Sequence, residues 1–121
     1  PYTYHLSCVV DQVNFLYGDS PKLKQLQQIG WLHDSIEDCD IDEEGLSCWG
    51  FDQEIITAVS AISKVDGEDL SDYYDRVANN KLAFKVKVAD TLSNLSHSLR
   101  ESQVKRINKY TNQLQELYKR K

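Results

Sequence analysis

The sequence predicts an all-α fold, a single helical bundle of about six helices. Apolar residues recur at the three- and four-residue spacing of amphipathic helices along most of the chain, and no segment alternates strictly like a half-buried strand. A chain of 121 residues can bury about two thirds of its unfolded surface around one core. It contains neither a linker nor an internal repeat. Residues 1–121 are therefore predicted to form one domain.

The first two predicted helices occupy the first third of the chain. One runs from Pro1 to about Tyr17 and ends before Gly18, because glycine commonly follows the end of a helix. The next begins at Ser20-Pro21, since serine is a good N-cap and proline suits the first helical position. Its apolar stripe leads into residues 33–38, so we expect these residues to belong to the same helix.

The other four predicted helices show the same combination of start signals and apolar spacing. The last of them ends in the basic run 119–121, which suits the negative end of the helix dipole. Their predicted starts are Asp52 for the third helix, Leu70 for the fourth, Asn80 for the fifth and Ser102 for the sixth.

An acidic segment separates the second and third predicted helices. Residues 37–44 carry six acids in eight positions, which predicts an exposed acidic loop up to about Gly50. The spacing of three of these acids imitates the first ligands of a calcium-binding loop. The glycine that such a loop needs falls on Glu43, and its bidentate glutamate falls on Trp49, so a calcium loop is not predicted.

The composition limits the class of partner. A net charge of −5 argues against a general nucleic-acid binder, which normally presents a basic face. No apolar run approaches the ~20 residues of a membrane span, and no signal peptide opens the chain, so we expect a cytoplasmic protein that does not bind membranes.

Because the sequence has no methionine, its natural N-terminus is expected upstream of Pro1. Three cysteines without a CxxC pair predict reduced thiols: Cys8, Cys39 and Cys48.

The residues that could carry chemistry lie on the apolar stripes of three predicted helices. His5, the pair His33-Asp34, and Asp90 are all expected to face inward. A buried aspartate is costly unless it is paired or binds a metal. Two imidazoles and two carboxylates suit a divalent ion such as Mn²⁺, Fe²⁺ or Zn²⁺.

Each of these residues also has a structural interpretation. His33 and Asp34 can form a pair in the core, and His5 can be a core histidine with a hydrogen-bond partner. Asp90 can be neutralised by Lys87, which precedes it by three residues on the same helix. The residue pattern alone leaves both interpretations open.

Three ordered motifs resemble the HD-domain phosphohydrolase superfamily, in which H…HD…D binds a metal. HDSIED at 33–38 is similar to the HDxxED pattern of RelA/SpoT-type hydrolases of guanosine tetra- and pentaphosphate. VKVADTLSN at 86–94 resembles their VKLADRLHN, and PYTYH at 1–5 resembles their PYxxH. Residues 74–83 and the dipeptide at 109–110 are similar to small stand-alone HD proteins.

The resemblance implies a set of roles for individual residues. A divalent cation, expected to be Mn²⁺ with Fe²⁺, Zn²⁺ or Mg²⁺ as alternatives, would activate water for attack on a phosphate. The implied metal ligands are His5, His33, Asp34 and Asp90, the implied catalytic residues are Glu37 and Asp38, and the implied substrate-binding residues are Asn94 and Lys87.

The leading hypothesis is a pyrophosphohydrolase that removes the 3′-pyrophosphate of guanosine tetraphosphate or a related small nucleotide. Lys85, Lys87 or Arg76 would add to the positive field of the metal. A 5′-nucleotidase of the HD type is the second hypothesis. A non-catalytic HD-fold binding module is the third, which Thr91 and Ser93 favour because the family usually has a basic residue and an aromatic or histidine there.

Overall fold

The computed structural model describes residues 2–38 and 41–121, with side chains for residues 4–36 and 41–121. Within these ranges the chain has eight helices and no strand, which confirms the all-α prediction. Six helices have nine residues or more, in agreement with the expected number. The helices are α1 Tyr2–Tyr17, α2 Leu23–Leu32, α3 Ser35–Asp38, α4 Glu43–Cys48, α5 Gln53–Ile62, α6 Leu70–Ala78, α7 Lys81–Arg100 and α8 Val104–Lys119.

The 20-residue helix α7 is the centre of the bundle. It packs against α1, α2, α5, α6 and α8. Its buried apolar residues fall on more than one face, as expected of a helix that is surrounded by others. These residues are Leu82, Ala83, Val86, Val88 and Ala89, and their neighbours in the core include Val9, Val13, Leu26, Ile29, Ile55, Ile56, Val59, Tyr73, Val77 and Leu117.

A glycine lets α2 approach α1 closely. Gly30 is buried, and a Cβ atom at this position would lie 3.2 Å from Cγ2 of Val10. A contact this short would require Val10 or the helix to shift. The absence of a side chain at Gly30 therefore helps to bring the end of α2 close to α1, and with it His33 close to His5.

The prediction that residues 33–38 continue the second helix is wrong. Helix α2 ends at Leu32, a turn contains His33 and Asp34, and α3 begins at Ser35. Nδ1 of His33 donates to the carbonyl oxygen of Gly30 at 2.7 Å. This bond gives a partner to one of the carbonyl groups that the end of a helix leaves without an intrahelical donor. The spacing of apolar residues carries no information about a bond between a side chain and a helix end. This spacing alone therefore predicted one longer helix.

The predicted acidic loop up to Gly50 contains the short helix α4 instead. Asp42 is its N-cap, and Oδ1 of Asp42 accepts from the backbone N–H of Gly45 at 2.8 Å. Glu43 and Glu44 occupy the first turn, where negative charge is favoured by the helix dipole, and Leu46 anchors the helix in the core. Three of the six acids, Asp42, Glu43 and Glu44, thus belong to a helix start.

Ser102, predicted as the N-cap of the last helix, instead closes α7. Its φ of 55° lies in the left-handed region. The N–H of Ser102 donates to Leu99 O at 3.2 Å, and the N–H of Gln103 donates to Ser98 O at 2.9 Å. These two bonds form a Schellman motif, which pairs the last carbonyls of a helix.

Two of the cysteines, Cys8 and Cys48, are free thiols. Cys39, which was predicted to be reduced, and Asp40, one of the acids of the rejected calcium loop, lie outside the described residues.

Candidate metal centre

Three of the four expected metal ligands meet where α1, α2 and α7 pack against one another. His5 lies on α1, His33 directly follows α2, and Asp90 lies on α7. One potential ligand atom from each of these residues lies within 4.8 Å of the other two. The two imidazole rings stand edge to face with their centroids 5.9 Å apart. This separation and the mixed nitrogen and oxygen donors are compatible with a shared divalent cation.

His33 presents a buried nitrogen to two carboxylates. Because a carbonyl oxygen can only accept, the bond from Nδ1 to Gly30 O places a proton on Nδ1. Nε2 then lies 3.4 Å from Oδ1 of Asp90 and 3.4 Å from Oδ2 of Asp34. Among the described residues this buried atom has no hydrogen-bond partner. A neutral imidazole would direct its lone pair at two acceptors, so a proton or a cation is needed at Nε2.

Asp90 is the most highly connected residue of the cluster. Its side chain is only 7% exposed. Oδ2 accepts from the Lys87 ammonium at 3.1 Å, and Oδ1 lies 3.0 Å from Nε2 of His5. The Asn94 amide nitrogen donates to the same Oδ1 at 3.5 Å. Asp90 therefore holds together groups from two helices.

The cluster keeps Asp90 ionised. Burial alone would raise the pKa of this carboxyl, but the Lys87 charge and the interactions with His33 and His5 hold it well below its ordinary value. For Lys87, burial opposes the charge, yet the Asp90 carboxylate raises the pKa of the ammonium. Burial also opposes protonation of His33, and its interactions with Asp90 and Asp34 raise its pKa overall.

Asp34, the fourth expected ligand, flanks the group of three. Its Oδ2 atom approaches Nε2 of His33, and its side chain is partly exposed. It lines the same cavity as His5, His33 and Asp90. The location of Asp34 in the turn between α2 and α3 thus brings a second carboxylate to the edge of the cluster.

The cluster lines a cavity of about 180 Å³ that also contains basic groups. Lys64 follows α5, Lys87 lies on α7, and Lys109 lies on α8. Tyr110 and Gln113 on α8 complete one wall. Three lysine side chains thus line the same cavity as the carboxylates and imidazoles of the cluster.

The basic residues of this cavity differ in part from those expected. Lys87 lines it, but its ammonium donates to Asp90. Arg76 pairs with Glu68 and donates to the backbone carbonyl of Ser63 at 2.6 Å, so it joins α5 to α6. Lys85 lines a different cleft. Lys64 was not among the expected basic residues, because it lies in a loop and belongs to no periodic pattern.

Lys109 and Tyr110 could have been identified from the sequence, because this dipeptide is part of the resemblance to small HD proteins. Asn94, expected to contact substrate, lines this cavity and a neighbouring cleft. The side chains of Glu37 and Asp38, the expected catalytic carboxylates, lie outside the described residues.

The chain matches no family model and no curated sequence. Of the helices described, none combines the length and the apolar character that crossing a membrane requires.

Proposed function

We propose that the chain is a metal-dependent phosphohydrolase of the HD type. His5, His33 and Asp90 would hold a divalent cation, with Asp34 beside them. The observation that carries this proposal is Nε2 of His33, which is buried 3.4 Å from each of two carboxylates without a hydrogen-bond partner among the described residues. The Nδ1 contact with Gly30 O supports it further, since metal-binding histidines usually donate their other N–H to a fixed acceptor.

The carboxylates of the cluster also favour a divalent cation. Asp34 and Asp90 each approach Nε2 of His33 to 3.4 Å, and the Lys87 ammonium donates to Asp90. A divalent cation held between these groups would add positive charge to a cavity whose wall also contains lysines, and this charge would attract phosphate. A structural His33–carboxylate pair would instead only neutralise the site and would not explain the further lysines, Lys64 and Lys109, in the cavity wall.

A cation held at this site would polarise a phosphoryl oxygen and lower the pKa of water. The protein groups around it have separate tasks. Lys64 and Lys109 attract and orient the phosphate, and Lys87 and Asn94 hold the Asp90 carboxylate in place. Glu37 and Asp38 would transfer protons, as the resemblance to HDxxED enzymes implies.

The substrate that we propose is guanosine tetraphosphate or a related nucleotide, hydrolysed at its 3′-pyrophosphate. A cavity of about 180 Å³ has room for phosphate groups but little room for a nucleoside. A neighbouring cleft of about 380 Å³ shares His5 and Asn94 with it and is also lined by Tyr4, His97 and Arg100. A ligand could thus extend from the phosphate cavity into a larger space with aromatic and basic groups.

A substrate panel tests the proposed function. We expect Mn²⁺-dependent release of pyrophosphate from guanosine tetraphosphate, measured separately from release of orthophosphate. EDTA should abolish the release, and added Mn²⁺ should restore it. Orthophosphate release from nucleoside monophosphates alone would support the 5′-nucleotidase, and no release of either product despite bound metal would support a binding module.

Metal binding by itself gives a second prediction. We expect about one Mn²⁺ or Zn²⁺ ion per chain and its loss in His33→Ala. Because the pKa of His33 is raised, protons compete for Nε2, so the apparent affinity should fall as the pH decreases through that pKa. Isothermal titration calorimetry in two buffers of different ionisation enthalpy measures the accompanying proton release.

His97→Ala is the matched control, because His97 is the chain's only histidine outside the cluster and pairs with Glu101 at the surface. It should bind metal like the unchanged protein. Equal metal content in the His33→Ala and His97→Ala variants would contradict the proposed site.

A further inference from the structure

A second cleft, separate from the candidate metal centre, combines aromatic and basic side chains. It has a volume of about 390 Å³ and lies where the end of α1, the start of α7 and the end of α8 meet. It shares no lining residue with the cavity around Asp90. Its aromatic residues are Tyr17, Phe84 and Tyr118, and its basic residues are Lys81, Lys85, Arg120 and Lys121.

The positive charge of this cleft is only partly compensated. Arg120 pairs with Asp75 at 2.6 Å and with Glu116 at 3.1 Å. In contrast, Lys81, Lys85 and Lys121 take part in none of the ion pairs between residues that the structure describes. Three uncompensated ammonium groups at one cleft are notable in a chain of net charge −5. They favour an anionic ligand.

Two of these lysines lie over aromatic rings. Nζ of Lys85 is 5.4 Å from the ring centroid of Tyr17, and Nζ of Lys121 is 5.5 Å from that of Tyr118. Lys121 and Tyr118 are exposed, and cation–π contacts are weak at exposed sites. An arriving anion can therefore draw the Lys121 ammonium away from the Tyr118 ring and leave ring surface available to an apolar or planar group.

The aromatic side of the cleft is held in place by protein contacts. The Tyr17 hydroxyl donates to the backbone carbonyl of Lys85 at 3.2 Å, and burial raises the pKa of this tyrosine to about 12, so it stays protonated. The rings of Phe84 and Tyr118 are nearly perpendicular, with centroids 5.6 Å apart. About half of the Tyr118 surface is exposed. The cleft thus offers a fixed aromatic wall with one accessible ring.

We propose that this cleft binds a nucleoside phosphate, with its base packed against Tyr118 and its phosphate between Lys81, Lys85 and Lys121. A planar aromatic group joined to an anion matches both halves of the lining. The bounded volume and the acidic character of the whole chain favour a single nucleotide over a strand of nucleic acid, which would need a longer basic track.

The site is independent of the proposed catalytic function. Lys85 precedes Asp90 by five residues, which places the two side chains roughly 140° apart around α7. A nucleotide in this cleft therefore contacts a different face of α7 from the one that carries Asp90.

A nuclear magnetic resonance titration tests the proposal. Guanosine 5′-monophosphate is added to the ¹⁵N-labelled protein in EDTA, which removes metal-dependent binding. We expect saturable shifts of the amide signals around Tyr17, Lys85 and Tyr118. Lys85→Glu should weaken the apparent Kd roughly tenfold or more, since it replaces attraction by repulsion beside the phosphate.

Lys105→Glu is the matched control, because it makes the same change at an exposed position near the other end of α8. It should bind like the unchanged protein, and an unaltered spectrum outside the cleft shows that each variant is folded. Lys121→Glu provides a second variant at the rim. Equal affinity for inorganic phosphate, shifts confined to residues around Asp90, or a more than tenfold preference for an oligonucleotide would each overturn the proposal.

Discussion

Asp90→Ala is expected to lower the free energy of unfolding of the metal-free protein by about 3–5 kcal/mol, the usual cost of removing one partner of a buried ion pair. The side chains of Asp90 and Lys87 are 7% and 10% exposed, so solvent cannot replace the lost carboxylate easily. The substitution leaves the Lys87 ammonium without its 3.1 Å acceptor and removes the acceptor near His5. Urea denaturation in EDTA measures the effect independently of any activity.

The control for Asp90→Ala is an ion pair at the surface. Lys22 and Glu54 lie 2.9 Å apart, and both side chains are nearly half exposed. Glu54→Ala should cost no more than about 1 kcal/mol. Adding Lys87→Met to Asp90→Ala should recover part of the lost stability, because it removes the unpaired charge. An Asp90→Ala protein as stable as Glu54→Ala would show that the buried pair does not stabilise the fold.

Helical periodicity predicted part of the set of residues that face the interior. It placed Ile55, Ile56 and Val59 on one face of α5, and all three are buried. It also turned His33 and Asp90 inward, and both are buried, but His5 and Asp34, which were expected to face inward as well, are partly exposed. These successes have a simple physical origin: the position of a residue around a helix follows from its number, and burial of apolar surface determines the face that packs.

Periodicity could not predict distances between helices. That His5, His33 and Asp90 approach within 4.8 Å depends on the packing of α1, α2 and α7, and the expectation of a shared site came from the order of the motifs. For the same reason, Lys64 could not be predicted as a residue of the cavity. This residue reaches the cavity from the segment between α5 and α6, where no repeat relates position in the sequence to direction in space.

The errors in element boundaries have a different cause. At His33, Asp42 and Ser102, hydrogen bonds involving the helix ends decide where helices stop and start. Each of these bonds is local, and a serine or aspartate is compatible with several alternatives. Ser102 illustrates this: the residue type suggested an N-cap, but its left-handed backbone closes the preceding helix.

The largest effect on turnover is expected from Glu37→Gln and Asp38→Asn. In the proposed phosphohydrolase, each substitution should lower kcat by roughly 10²–10⁴, the range for loss of a group that transfers protons. The amide side chains keep nearly the same shape but cannot accept the proton of an attacking water. Both positions follow the turn that carries His33 and Asp34, on the short helix α3. Steady-state kinetics with the active nucleotide measures the effect.

Metal content distinguishes proton transfer by Glu37 and Asp38 from metal binding by these residues. Glu37→Gln and Asp38→Asn should retain about one cation per chain, whereas His33→Ala should lose it, because His33 belongs to the group of residues that can share an ion. Glu44→Gln is the matched control, since it changes an exposed acid in the neighbouring helix α4 and should leave turnover unaltered. Unchanged turnover in both Glu37→Gln and Asp38→Asn, or loss of metal in either, would be incompatible with proton transfer by these carboxylates.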